Sequence, residues 1–348
     1  MKILYGVQGT GNGHIARARA MCDVLKVRGI DVDFLFSGRD KNKYFSMEQF
    51  GHFQTRRGLT FSTEKGRVNY FKTATSNSLL EFYNDVTSLD LADYDLVLND
   101  FEPVSAWAAK LQGKPVVSIS HQNAFRYPVP LKGASWLDKM VIRYFAPSQH
   151  HIGLHWYHFN QPILPPIVHT HKDQVESEAF VLVYLPFESL EDITDLLLRF
   201  KSQMFVCYHP DVMEAKQVDN IEYLPLSFEH FHHHMNRCAG IIANGGFELP
   251  SEALTLGKKL LLKPLSGQFE QMSNVATLET LGLASSMEVL DAALVRTWLD
   301  EAPGESVDYP NVAEAIVDWL LEGDWDNTRY LTSQLWSKVD FPSYAMNV

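Results

Sequence analysis

Short apolar runs alternate with helix-periodic stretches along nearly the whole chain. Ile3 to Val7, the apolar end of Asp31 to Ser37, Asp95 to Leu98 and Pro115 to Ser120 read as buried strands in the first half. Phe180 to Leu185, Met204 to Tyr208, Ile221 to Leu224, Gly240 to Ala243 and Lys259 to Leu262 repeat the rhythm in the second. Helical periodicity fills the gaps at Ile15 to Arg28, Val104 to Leu111, Leu190 to Phe200 and Phe228 to Cys238. Strands and helices in this alternation predict parallel sheets with right-handed crossovers, an α/β fold. The rhythm breaks at His150 to His171, where Pro162, Pro165 and Pro166 mark a connector. The expected units are residues 1–160, residues 161–325 and a helical tail, 326–348.

Two stretches are less orderly. Thr60 to Thr75 alternates like strands, with Phe61, Val68, Tyr70 and Phe71 inward. Between Phe125 and Phe145, Trp136, Met140 and Tyr144 share one helical face and Leu137, Val141 and Phe145 another, beside Arg126, Lys132, Lys139 and Arg143. So wide an apolar arc predicts a buried helix with a basic outer edge, in preference to a docking surface for a lipid-linked acceptor or membrane headgroups.

Composition narrows the function classes. At 348 residues, 46% of them hydrophobic, the chain has room for two cores. A net charge of −12 argues against nucleic acid as the main partner, because phosphodiester binding needs a concentrated basic surface. Cys22, Cys207 and Cys238 make no paired spacing. His150, His151, His155 and His158 crowd together without carboxylate or thiolate support at a metal-binding spacing, so no metal is expected. No export signal or spanning apolar run is present, which predicts a cytoplasmic protein with at most peripheral membrane contact.

Candidate chemistry sits at strand ends. Asn244-Gly245-Gly246 links a buried strand to a helix near Phe247 to Leu256, stopped by Gly257. The two glycines lack β-carbons, so a ligand can approach the backbone and positive φ is cheap, while the helix start favours phosphate. Glu252, about one turn in, suits the vicinal hydroxyls of a ribose. Near the N-terminus, Ile3 to Val7 runs into Gln8-Gly9-Thr10-Gly11-Asn12-Gly13-His14 and a helix. This is a Rossmann-like opening, but G-x-G-x-G is not the dinucleotide fingerprint, which disfavours Asp31 or Asp33 as a dehydrogenase's ribose acid. Asp100 closes another strand at the edge where ligands bind in parallel sheets. It is open to three roles: orienting His14, binding an acceptor hydroxyl, or capping the helix that follows.

Gly245-Gly246, Glu252-Ala253-Leu254, Gly257-Lys258, Pro264, Glu270-Gln271 and Asn274 resemble the donor-site signature of the GT-B glycosyltransferase superfamily, in its MurG-like and UDP-glycosyltransferase-like branch. The loop Gly9 to His14 resembles that group's N-terminal loop. Asn244 and Leu249 depart from it, standing where many relatives have His or Ser and a phosphate-binding Ser or Thr. The resemblance implies two Rossmann-like domains facing a cleft, with the last helix crossing back onto the first. It implies that Gly11 and Gly13 border the diphosphate and acceptor, and that Asn244, Gly245, Gly246 and Phe247 form the diphosphate turn. It also implies that Glu252 holds the ribose, that Glu270 and Gln271 hold hydroxyls of the donor sugar, and that His121 and Asn123 line the acceptor side. His14 then becomes a candidate base, or else a histidine that merely caps or packs. The activity implied is inverting, metal-independent transfer from a nucleotide sugar, UDP-linked, to a hydroxyl acceptor, with no cofactor; lipid-linked and polysaccharide acceptors both stay open. Two alternatives keep the fold: a nucleotide-sugar 2-epimerase with hydrolysis, and a non-catalytic nucleotide-sugar-binding regulator.

Overall fold

The structure is a computed structural model that describes residues 1–59, 78–168 and 177–345, with the backbone pairing of Thr63–Glu64 and Arg67–Val68. Its first sheet contains β1 (Lys2–Gln8), β2 (Asp31–Ser37), β3 (Phe53–Thr55), β6 (Leu96–Asp100), β7 (Val116–Ser120), β8 (His150–Leu154) and β9 (Ile163–Leu164). The short pieces Thr63–Glu64 and Arg67–Val68, β4 and β5, form a separate antiparallel pair. Strand order in the sheet is β3-β2-β1-β6-β7-β8-β9, every neighbour parallel. The chain leaves β1 through helix α1 (Asn12–Val27) toward one edge and returns to the other side of β1 at β6. Val7 and Asp100 are register partners there, so the loops after β1 and β6 open at one sheet edge.

The second sheet repeats this plan. It holds β10 (Phe180–Tyr184), β11 (Met204–Tyr208), β12 (Lys216–Val218), β13 (Ile221–Leu224), β14 (Gly240–Asn244), β15 (Lys259–Lys263) and β16 (Ser285–Ser286), in the order β12-β13-β11-β10-β14-β15-β16. Only β12 is antiparallel, against β13. The reversal of direction falls between β10 and β14, where Tyr184 pairs with Ala243. Both sheets are covered on two faces, which is why their strands are apolar runs: Ile3, Leu4 and Tyr5 are as fully buried as Leu182 and Val183.

The helices after α1 are α2 (Leu79–Ser88), α3 (Pro103–Gln112), α4 (Trp136–Tyr144), α5 (Leu190–Leu197), α6 (Phe228–Arg237), α7 (Glu248–Thr255), α8 (Phe269–Thr280), α9 (Ala292–Leu299), α10 (Val312–Glu322) and α11 (Arg329–Trp336). Ser78, Glu102, Ser135, Ser189, Ser227, Asp291 and Asn311 cap their helices with a side-chain oxygen. α1, α7 and α8 begin with Gly11, Phe247 and Gln268 and have no such cap, and neither has α11.

Three expectations change. α4 is not a buried helix: only Ile142 is buried, and Trp136, Leu137, Met140 and Tyr144 are exposed. The first sheet runs to Leu164, past the expected boundary at residue 160. The return to the first domain also begins before residue 326, because Arg28 of α1 donates to Glu314 and Asp318 of α10 at 2.7–2.9 Å. α11 follows, with Trp336 Nε1 donating to the Ile163 carbonyl at 2.6 Å. The side chains of Phe61, Val68, Tyr70 and Phe71 lie outside the described residues.

Candidate active site between the domains

The turn after β1 is fixed by its own polar groups. The Gly9 N–H donates to the Ser37 carbonyl at 2.6 Å, and Gln8 Nε2 donates to Thr10 Oγ1 at 2.7 Å. α1 then starts at Asn12, which puts half-buried His14 in its first turn and Arg17 one turn on, on the same face. Beside it β6 ends in fully buried Asp100.

Asp100 is not a helix cap. Glu102 takes that role, accepting from the Val104 and Ser105 N–H groups at 2.8 and 2.6 Å, which leaves Asp100 for side chains. His14 Nδ1 lies 2.8 Å from Asp100 Oδ1. Arg17 donates from Nε to Oδ2 at 2.7 Å and from Nη2 to Oδ1 at 2.8 Å. Burial raises the Asp100 carboxyl, but Arg17 and His14 outweigh it and hold the group below the usual carboxylate range. With the carboxylate ionised, Nδ1–H is the donor and the lone pair sits on Nε2.

In the second domain Asn244 ends β14 and donates from Nδ2 to the Lys263 carbonyl at 2.9 Å. The two glycines after it differ, and neither has positive φ. A β-carbon on Gly245 would lie 2.7 Å from Val275 and 2.9 Å from the Gln271 carbonyl, so this glycine is required for α8 to pack. A β-carbon on Gly246 would meet nothing within 4 Å among the described residues, so this side of the turn leaves room for a ligand. Phe247 stacks on His121 at 3.9 Å, the two rings 7° from parallel. Glu252 is buried, with Oε2 3.3 Å from His232 Nε2 and no partner at Oε1. Burial lowers the His232 pKa, but Glu252 more than offsets this and raises it.

Other predicted residues serve the framework. His121 is buried, its Nδ1 donating to the Leu154 carbonyl at 2.8 Å and its Nε2 2.7 Å from the Asn274 side-chain amide. Asn123 is buried too: its Nδ2 binds Ser118 and the Ile152 carbonyl, and its Oδ1 accepts from Arg126. Contrary to expectation, neither presents a free polar group to an acceptor. Gln271 Oε1 accepts from the Leu265 N–H at 2.8 Å and shapes the loop. Half-buried Glu270 accepts from Gln122 Nε2 of the first domain at 3.2 Å.

A cavity of ≈ 130 Å³ lies where the two sheet edges meet. Asn12, Gly13 and Arg19 line it from the first domain, and Phe228, His232 and Glu252 from the second. Three of its neighbours escaped the sequence reading. Arg17 contacts Glu248, the first residue of α7, across the domain seam. Arg19 stacks 4.0 Å above the Phe228 ring. His232 reaches Glu252 from α6, where it stands in a run of three histidines. The three-residue spacing from His14 to Arg17 is the available signal; Glu248 is an acid in a first helical turn, where acids are common. Among the described residues no group of three or more His, Cys, Asp or Glu side chains converges as a cation site.

Solved structures share the two-domain plan. The glycosyltransferase of kitacinnamycin superposes with a TM-score of 0.56 at 14% identity, over 97% of this chain and 99% of that one. MurG of Acinetobacter baumannii gives 0.55 at 14% over 92% and 100%. The glycosyltransferase VinC, solved in complex with dTDP, gives 0.53 at 12% over 97% and 99%. No curated protein sequence matches the chain. The family described as "Glycosyl transferase family 1" matches residues 1–303, nearly the whole of both domains. With two Rossmann-like sheets facing a cleft, the chain is a glycosyltransferase of the GT-B fold and belongs to that family.

Proposed function

We propose that the chain transfers a glycosyl group from a UDP-linked sugar to a hydroxyl acceptor, by inversion and without a metal ion. One observation carries this: Gly13, the neighbour of His14 in the His14–Asp100 pair, and Glu248 at the uncapped start of α7 line a single interdomain cavity. His14 Nε2 takes the proton of the acceptor hydroxyl as its oxygen attacks the anomeric carbon. The bond from that carbon to the diphosphate breaks, and its electron pair leaves with the nucleoside diphosphate. Asp100 stabilises the imidazolium that forms. Charge growing on the diphosphate meets the start of α7, where the helix dipole favours an anion. Glu252 accepts from the ribose hydroxyls. Glu270 and the Gln271 amide nitrogen face hydroxyls of the transferred sugar.

Product analysis with a panel of nucleotide sugars and alcohol acceptors tests this. Transfer, or slow release of the free sugar from the donor, is expected and survives EDTA. An epimerised sugar, or binding without turnover, removes the proposal in favour of an epimerase or a regulator.

A further inference from the structure

We infer that Arg17 and Glu248 are positioning residues for the His14–Asp100 pair, Glu248 reaching across from the second domain to hold Arg17 against Asp100. This rests on the reading of His14 as the base. Arg17 is 2% exposed, and its guanidinium is spanned by two carboxylates, one from each domain. Asp100 Oδ1 is shared between Arg17 Nη2 and His14 Nδ1, so a turn of the guanidinium moves the oxygen that orients the imidazole. Arg17 Nη2 itself stands 3.0 Å from His14 Nδ1. The second domain thus reaches the dyad through Glu248.

The seam is built to admit that side chain. A β-carbon on Gly13 would stand 2.9 Å from Glu248 Cγ, so only glycine lets the carboxylate pass. Stability alone is a poor account of the arrangement, because desolvating such ions costs several kcal/mol each and mutual attraction only partly offsets it. Around Glu248 stand Arg17, Asp100 and Tyr5 of the first domain and Glu252 of its own helix. Burial pushes the Glu248 carboxyl up to about 8 against the pull of Arg17, with Glu252 and Asp100 adding to the rise. Glutamine keeps an oxygen that can face Arg17 but carries no charge.

The test uses the full chain in four forms, wild type, R17K, E248A and E248Q. For a nucleotide sugar that the wild type hydrolyses, kcat and KM are measured from neutral to alkaline pH. The Nδ1–H resonance of His14, assigned with H14Q, is followed by ¹⁵N NMR in the free protein. E248A and R17K are expected to lower kcat by up to about a hundredfold with donor KM within about twofold, and to move or broaden the His14 resonance. E248Q is expected to lower kcat and to move the His14 resonance less than E248A does, because its amide oxygen can still face Arg17. Folded E248A and R17K with unchanged kcat and an unchanged resonance would overturn the inference. Should both fail to fold, E248Q decides, and a kcat and a His14 resonance both equal to those of the wild type overturn it. If no donor is turned over, the transfer reading fails on its own and the resonance still decides this one.

Discussion

His14 Nδ1 and Asp100 Oδ1 stand 2.8 Å apart, although 86 positions separate them in the chain. They meet because β1 and β6 are register neighbours at the point where the first sheet reverses its direction of growth. His14→Ala is expected to abolish sugar transfer while UDP affinity stays unchanged. Asp100→Asn, which leaves the imidazole without an ionised partner, should cost roughly a hundredfold or more in turnover. Full activity in His14→Ala would leave the chain without an identified base.

Glu252 is buried with one oxygen facing His232 and the other unpartnered. A lost charged hydrogen bond to the ribose predicts that Glu252→Ala weakens UDP binding by about 1.5–3 kcal/mol, read by calorimetry. Equal affinity in mutant and wild type would remove the ribose assignment.

The two glycines after β14 should separate stability from binding. Gly245→Ala drives a methyl into Val275 and the Gln271 backbone, and is expected to destabilise the fold by about 1–3 kcal/mol. Gly246→Ala meets no neighbour, so the melting temperature should hold while UDP affinity falls. An intact affinity would mean that the diphosphate does not approach this turn.

Acid should destabilise the protein through its buried histidines. Fully buried His155 has no partner at either ring nitrogen, and burial, with His121 adding, holds its pKa well below the ordinary value. Burial likewise lowers His121, and takes His151 down to about 4. The unfolded chain takes up these protons near pH 6.5 and the native one only at lower pH, so stability falls as pH drops from about 6.5 toward 4. Each group contributes a slope of at most about 1.4 kcal/mol per pH unit. Glu248 acts in the opposite sense: its raised pKa costs stability as pH climbs from the ordinary carboxyl range to about 8. Melting curves of His155→Phe should lose part of the acid slope, and those of Glu248→Gln part of the alkaline one. Wild-type slopes in both variants would contradict these assignments.

Trp136 is 71% exposed on α4. Trp136→Ser is therefore expected to change stability by no more than about 0.5 kcal/mol in denaturant unfolding. A loss of several kcal/mol would mean that something covers this face.

Much of the fold was legible because a strand buried on both faces must be apolar along its length and its crossover helix must be periodic. That sufficed for β1, β10, β14 and β15 and for α7 with its Gly257 stop. Periodicity does not say what lies against a helix, so α4 was assigned to the interior although its apolar residues face outward. A carboxylate at a strand end suits a cap and a catalytic partner equally well. Only the position of Glu102, two residues on, shows which acid caps α3 and frees Asp100. Arg17 and Glu248 escaped notice because neither shows its purpose alone; each has a role only where the other domain supplies its partner.

The bonds from Arg28 to α10 and from Trp336 to β9 have a mechanical consequence. The chain crosses between the sheets once after Leu164 and again before α10, so the lobes are joined at two points. Parting the lobes for substrate entry must therefore break the seam contacts between those joints, Arg17 with Glu248 and Gln122 with Glu270 among them, while the covalent crossings hold.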